Sequence, residues 1–205
     1  PFPPENAGEA PEFRFDPHVW TSPKRARVQV ENLGAGLAAA APDAASSINA
    51  ATASYLEDLD ALDAWATASI ETVPEGQRVL FTSPDAFGYF AGDYGIRFIG
   101  AALSDFNDQQ DATADHIASA VQAVKDSGAV AIFAENSNNS KSIEAIARGA
   151  GVTPIVGDDA LYGDSLGPDG SAGATYVGSI IHNVRAVTDA WGGTAPALPE
   201  RLAGQ

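Results

Sequence analysis

The chain has 205 residues, of which 45% are hydrophobic, and its 11 basic and 27 acidic residues give a formal net charge of −16. This composition is typical of a folded globular protein and argues against an intrinsically disordered one. The negative charge disfavours nucleic acid and anionic membranes as partners. Because the chain contains no cysteine, disulfides and thiolate chemistry are excluded, and any metal ion must be held by nitrogen and oxygen ligands.

The first third of the chain predicts an irregular, proline-rich segment over residues 1–12 and then two helices. Ser22 and Pro23 suit the N-cap and the first turn of a helix that ends near Pro42. We expect this helix to make its apolar contacts through Val28, Val30, Leu33 and Leu37. Residues 44–70 then repeat apolar side chains at the spacing of one helical face. Such a helix would be roughly 40 Å long, which suits a strut between two lobes, and its acidic residues are expected to face solvent.

The rest of the chain alternates short apolar runs with amphipathic segments. The runs predict strands over residues 78–82, 95–101, 128–133 and 152–156, and the segments between and after them predict helices over 85–94, 111–125, 140–149 and 174–190. Strands alternating with helices indicate βαβ units. The predicted fold class is therefore α/β, with a parallel sheet covered by helices on both faces.

Polar residues follow the ends of these strands, where ligands bind in parallel sheets. The segments 82–85 and 135–139 are equally well explained as turns and helix caps. The segment 157–173 is the longest, and the four aspartates within it favour cations and disfavour anions: Asp158, Asp159, Asp164 and Asp169. His18, just before the first predicted helix, offers an imidazole, the commonest metal ligand. A loop histidine that hydrogen-bonds to backbone is the alternative interpretation.

Other candidate residues have simpler interpretations. His116 is expected to lie on the surface, and His182 and Glu135 to act in packing and hydrogen bonding. Ser83, Asp164 and a histidine are the components of a hydrolytic triad, but the chain has no Gly-x-Ser-x-Gly elbow, and the proline after Ser83 has no N–H for an oxyanion hole. We therefore expect a protein that is not an enzyme.

Six segments together resemble the zinc- and manganese-binding solute-binding proteins of bacterial ABC transporters. They occur in the same order as in that family and extend the resemblance over nearly all of residues 16–191: Asp16-Pro-His-Val-Trp20, Tyr55–Asp63, Thr82–Phe90, Ala131–Glu135, Leu161–Gly167 and His182–Val184. In the family, one long helix bridges two α/β lobes, and a transition metal lies in the cleft between them. The resemblance implies that His18 is a first-lobe ligand and Asp164 a second-lobe ligand for Zn²⁺ or Mn²⁺, which suits imidazole and carboxylate chemistry.

The resemblance also predicts the domain organisation and the setting of the protein. Residues 1–43 are expected to form a linker and the remnant of a first lobe, 44–73 the bridging helix, and 74–205 the C-terminal α/β lobe. The protein would be extracytoplasmic, either periplasmic or attached to the cell surface, and would deliver its metal to an ABC permease in the membrane. Because the chain lacks methionine even at position 1, we expect that it was processed or is part of a longer protein.

Two departures from the family pattern concern the ligand set. The family has a further histidine ligand early in its first lobe, so a missing N-terminal segment of the same protein is an expected partner of this chain. The family's third ligand, a histidine or glutamate directly after Thr82 and Ser83, is here Pro84. Asp85 is adjacent and is a weak substitute ligand. The alternative to metal transport is a surface-exposed interaction or adhesion domain with a degenerate metal site.

Overall fold

The computed structural model describes residues 15–83, 86–99, 114–137 and 139–204. In chain order its main elements are helices α1 (Pro23–Ala40) and α2 (Ala45–Glu71), strands β1 (Val79–Leu80) and β2 (Thr82–Ser83), α3 (Gly88–Asp93), β3 (Arg97–Phe98), α4 (Ala114–Ser127), β4 (Ala131–Ala134), α5 (Lys141–Ala150), β5 (Thr153–Ile155) and α6 (Tyr176–Ala190). Among the described residues, no helix is both long and apolar enough to cross a membrane.

All the strand pairs described are parallel, as predicted, but they form two short sheets. β1 pairs with β3, whereas β2 pairs with β4, which in turn pairs with β5. The predicted first strand is therefore divided at Phe81, and its two halves pair with different neighbours. The carbonyl of Phe81 still accepts a hydrogen bond from the N–H of Phe133 at 3.0 Å, which links the two sheets at this point.

Helices cover both faces of the strands, as the α/β fold class requires. One face carries Leu80 and Phe133, which belong to a buried cluster with residues of α2, α3 and α6. The other face carries Val79 and Ile132, which belong to a second cluster with residues of α4 and α5. Successive residues of a strand thus point to opposite faces of the sheet. Both faces are apolar because helices bury a parallel sheet on both sides.

The helix prediction for residues 44–70 is confirmed by α2. Of the four apolar contacts predicted for α1, Val30 is confirmed, because it packs against the buried cluster, and the other three are wrong. Val28, Leu33 and Leu37 are 53%, 62% and 49% exposed, and α1 instead buries the small residues Pro23, Ala26 and Gly34. Gly34 is needed because a Cβ there would lie 2.4 Å from Oγ1 of Thr52 on α2. Close approach of the two helices, rather than a large apolar stripe, therefore decides which face of α1 is buried.

Ser22 occupies the N-cap position of α1 but does not cap the helix with its side chain. Its hydroxyl donates to Oδ2 of Asp93 at 2.7 Å, and the guanidinium of Arg25 donates to both oxygens of the same carboxylate. Asp93 ends α3. These bonds hold the start of α1, and the short segment before it, against the sheet region.

Candidate metal centre

The segment before α1 is folded around the side chain of Asp16. Its Oδ1 accepts from the backbone N–H of His18 at 2.9 Å and lies 2.7 Å from Nδ1 of the same residue. The first of these bonds closes an Asx turn, which aspartate favours because its short carboxylate reaches the backbone two residues on. Residues Val19–Thr21 then form one 3₁₀ turn. Asp16 thereby fixes both the backbone and the ring of His18.

The contact with Asp16 also determines which ring nitrogen of His18 carries the proton. An ionised carboxylate only accepts hydrogen bonds, so Nδ1 must be the donor. In the neutral ring, Nε2 then carries a lone pair. A carboxylate on one ring nitrogen is the usual arrangement for a histidine that binds a metal through its other nitrogen.

The loop that carries Asp164 is held by α6. The side chain of Asn183, which is fully buried, accepts from the backbone N–H of Tyr162 and donates to its carbonyl, both at 2.8 Å. The preceding residue, Leu161, forms an isolated parallel bridge with Glu135, just after β4. The loop is therefore fixed at the carboxyl end of the sheet two residues before Asp164.

His18 and Asp164 meet across this region, although 145 residues separate them in the sequence. Nε2 of His18 lies 3.5 Å from Oδ1 of Asp164, and the two side chains are 16% and 36% exposed. With the proton on Nδ1, a nitrogen lone pair faces a carboxylate oxygen. Two electron-pair donors at this distance repel each other unless a cation, either a proton on Nε2 or a metal ion, lies between them.

The remaining predicted ligand, Asp85, lies outside the described residues, as does Pro84. Within the described ranges, no group of three or more histidine, cysteine, aspartate or glutamate side chains is arranged to hold a metal ion. The structure thus brings together two of the three predicted ligands, His18 and Asp164, at the site.

The other residues considered in the sequence lie in different settings. His182 is half-buried on α6, where Nε2 lies 3.0 Å from the carbonyl of Ala160 and the ring meets that of Tyr162 edge-on. This agrees with the predicted packing role. His116 lies on α4, on the opposite face of the sheet from α6. Glu135 is 1% exposed, and its carboxylate lies against the backbone of Gly163.

A cavity of about 250 Å³ opens beside Asp164. It lies between the 3₁₀ turn after His18 and the loop, and three aromatic rings line it: Trp20, Tyr162 and Tyr176. Burial, with a smaller contribution from nearby charges, raises the pKa of Tyr176 above the usual range of a phenol. The cavity is thus a partly enclosed cleft that borders the pair of His18 and Asp164 on the side of Asp164.

Sequence reasoning did not assign roles to Asn183 or Trp20, which bond to the segment that carries Asp164. Both lie within segments that carried the family resemblance, but nothing in the local pattern shows that the amide of Asn183 is buried. Their partners are backbone groups more than 20 residues away, and backbone groups carry no sequence signal.

Comparison with known proteins gives consistent results. A family model described as ZnuA, "Zinc-uptake complex component A periplasmic", matches residues 3–190. The manganese-binding lipoprotein MntA of Bacillus subtilis is 35% identical over 179 residues, which are 86% of this chain. The zinc-binding protein TroA of Treponema pallidum is 32% identical over 184 residues, or 87% of this chain. The chain spans 58% of the length of each of these relatives.

The fold also matches a solved structure. The periplasmic zinc-binding protein TroA from Treponema pallidum superposes with a TM-score of 0.79 at 29% sequence identity, and the match covers 93% of this chain and 69% of that one. This chain therefore shares its helix-rich α/β architecture with parallel strands with that zinc-binding protein.

Proposed function

Because the chain belongs to the family of the periplasmic zinc-uptake component A, we propose that it binds a divalent transition-metal ion, zinc or manganese, as the solute-binding part of an ABC importer. The observation that carries this proposal is the 3.5 Å separation of Nε2 of His18 from Oδ1 of Asp164. The ion is the cargo, and it is captured and released by ligand exchange without covalent chemistry.

The separation of the two atoms fits a single bridging ion. With metal–ligand bonds of roughly 2.1 Å, atoms 3.5 Å apart subtend an angle of roughly 110° at the ion, which is the tetrahedral value. Adjacent ligands of an octahedral ion would lie roughly 3.0 Å apart. Since one of the two relatives is named as manganese-binding and the other as zinc-binding, both ions belong to the proposal.

The electrostatics of the site support the same cargo. The chain carries a net charge of −16, and the loop between β5 and α6 contributes Asp158, Asp159 and Asp169 in addition to the proposed ligand Asp164. These carboxylates attract a cation to the cleft and disfavour phosphate or carboxylate solutes. The alternative of an adhesion domain with a degenerate site is not favoured, because the relatives' names describe metal binding.

The setting of the protein is part of the proposal. The family description places its members in the periplasm, and we infer the same extracytoplasmic location and delivery of the ion to a membrane permease. The proposal includes the domain organisation, with a first-lobe remnant at 1–43, the bridging helix α2 within 44–73 and the C-terminal lobe at 74–205. It also includes a further metal ligand from a first-lobe segment of the same protein. The family supports a binding component rather than an enzyme.

Calorimetric titration of Zn²⁺ and Mn²⁺ into metal-stripped protein tests the metal site. We expect His18→Ala and Asp164→Ala each to weaken binding by ten-fold or more, because each removes a ligand atom from the ion. His116→Ala is the matched control, since it removes a histidine from α4 and should leave binding unchanged. Unchanged titrations for both ligand variants would refute the assignment.

A further inference from the structure

Trp20 links the two segments that carry the proposed metal ligands. It lies two residues after His18, and its indole N–H donates to the carbonyl of Gly163 at 2.9 Å. Gly163 directly precedes Asp164. The backbone carbonyl of Trp20 in turn accepts from the hydroxyl of Tyr176, at the start of α6, at 2.8 Å. One residue of the His18 segment therefore bonds to both the Asp164 loop and the helix behind it.

The position of Gly163 gives the indole bond a rigid partner. Gly163 is buried, and a Cβ on this residue would lie 2.0 Å from Oε2 of Glu135 and 3.4 Å from the ring of Phe87. At Gly163, the carboxylate of Glu135 thus lies against the α-carbon, and the indole N–H of Trp20 donates to the carbonyl. A loop confined in this way holds the residue that follows, Asp164, at a defined distance from the His18 segment.

The second bond is partly buried. Tyr176 is half-buried, and burial raises the pKa of its phenol, so its hydroxyl stays protonated and able to donate. The ring of Trp20 also packs edge-on against that of His18, with centroids 5.4 Å apart. Movement of Trp20 away from the loop would therefore carry the ligand ring with it.

We propose that Trp20 is a positioning residue for the metal site: its indole N–H fastens the His18 segment to the Asp164 loop and so slows release of the bound ion. The proposal rests on the proposed function. Before the two ligands can separate, the bond from Trp20 to Gly163 must break, so its strength adds to the barrier for dissociation. Preorganised ligands also cost less entropy on binding. Affinity changes of this kind occur mostly in the dissociation rate.

Trp20→Phe keeps an aromatic ring and removes only the donor. The matched control is Trp65→Phe. Trp65 lies on α2 in the buried cluster, and its indole N–H makes the same kind of bond, to the carbonyl of Pro196 at 3.0 Å. Zinc release is measured by mixing the loaded protein with excess chelator in a stopped-flow instrument. We expect about ten-fold faster release for Trp20→Phe with an unchanged capture rate, and no change in release for Trp65→Phe.

Amide hydrogen exchange of the metal-free protein tests the link independently of any metal. In Trp20→Phe, exchange should accelerate in peptides covering 15–22 and 161–166, and in Trp65→Phe these peptides should match the wild type. The proposal would be overturned if both peptides of Trp20→Phe exchanged at the wild-type rate, or if the two variants released zinc at equal rates. A wild type that binds neither ion would refute the proposed function, while the exchange result would still decide whether Trp20 fastens the loop.

Discussion

Asp16→Asn is the substitution that most directly tests how the ring of His18, the proposed metal ligand, is held. Oδ1 of Asp16 accepts from Nδ1 of His18 at 2.7 Å and from its backbone N–H at 2.9 Å. Asparagine retains an oxygen at nearly the same place but removes the negative charge. The variant therefore weakens the support of the ligand without removing the ligand, and the site's shape is kept.

The expected loss follows from the strength of these bonds. A hydrogen bond to a charged group contributes roughly 1.5–3 kcal/mol, about twice the value for a neutral pair. Loss of the charge of Asp16 is thus expected to weaken the binding free energy of the metal ion by about 1–1.5 kcal/mol. This raises the dissociation constant of the ion roughly ten-fold. If the amide nitrogen of the new side chain turns toward the ring, the proton moves to Nε2 of His18, and we expect the loss to approach a hundred-fold.

Calorimetric titration of Zn²⁺ near neutral pH and at fixed ionic strength measures this effect. Asp60→Asn is the matched control: it removes the same charge from an exposed aspartate of α2, which pairs with Arg27, and an exposed pair contributes little. We expect the control to bind within about two-fold of the wild type. If Asp16→Asn were folded and bound zinc as tightly as Asp60→Asn, the reasoning about Nδ1 of His18 would be refuted.

Two further predictions concern stability. Gly163→Ala places a methyl group 2.0 Å from Oε2 of Glu135, so we expect it to lower the unfolding free energy by about 1–3 kcal/mol. Gly36→Ala, in an open part of α1, should raise the unfolding free energy by about 0.5–1 kcal/mol. Equal thermal midpoints for the two variants would contradict this prediction. Burial raises the pKa of Tyr94 and of Tyr176, so above about pH 10 the folded protein binds more protons than the unfolded chain, and its urea midpoint should fall as pH rises. A midpoint that stays constant while the phenolate absorbance appears would count against it.

The helices and strands were largely predictable because their signals are local. The periodicity that predicted a helix over 44–70 matches α2, since an amphipathic face is encoded by residues three and four positions apart. The division of the first strand at Phe81 was not predictable from the same pattern. An apolar run predicts a strand but does not say which neighbour each half will pair with.

The face of α1 illustrates a second limit. Its larger apolar residues predicted contacts for Val28, Leu33 and Leu37, yet these are exposed. The helix instead approaches α2 through Gly34, where the absence of a side chain lets the two backbones come close. Burial on a helix depends on the partner surface, and a sequence shows only one of the two surfaces.

The α/β class, the order of the elements and the family resemblance that singled out His18 and Asp164 could all be read from the amino-acid sequence. The tertiary structure was needed to show that these residues lie 3.5 Å apart, that Oδ1 of Asp16 lies 2.7 Å from Nδ1 of His18, and that Trp20 bonds to the loop 143 residues further along. The physical reason is that chain topology brings such groups together. Their partners are often backbone carbonyls, which every residue has and which leave no trace in the sequence.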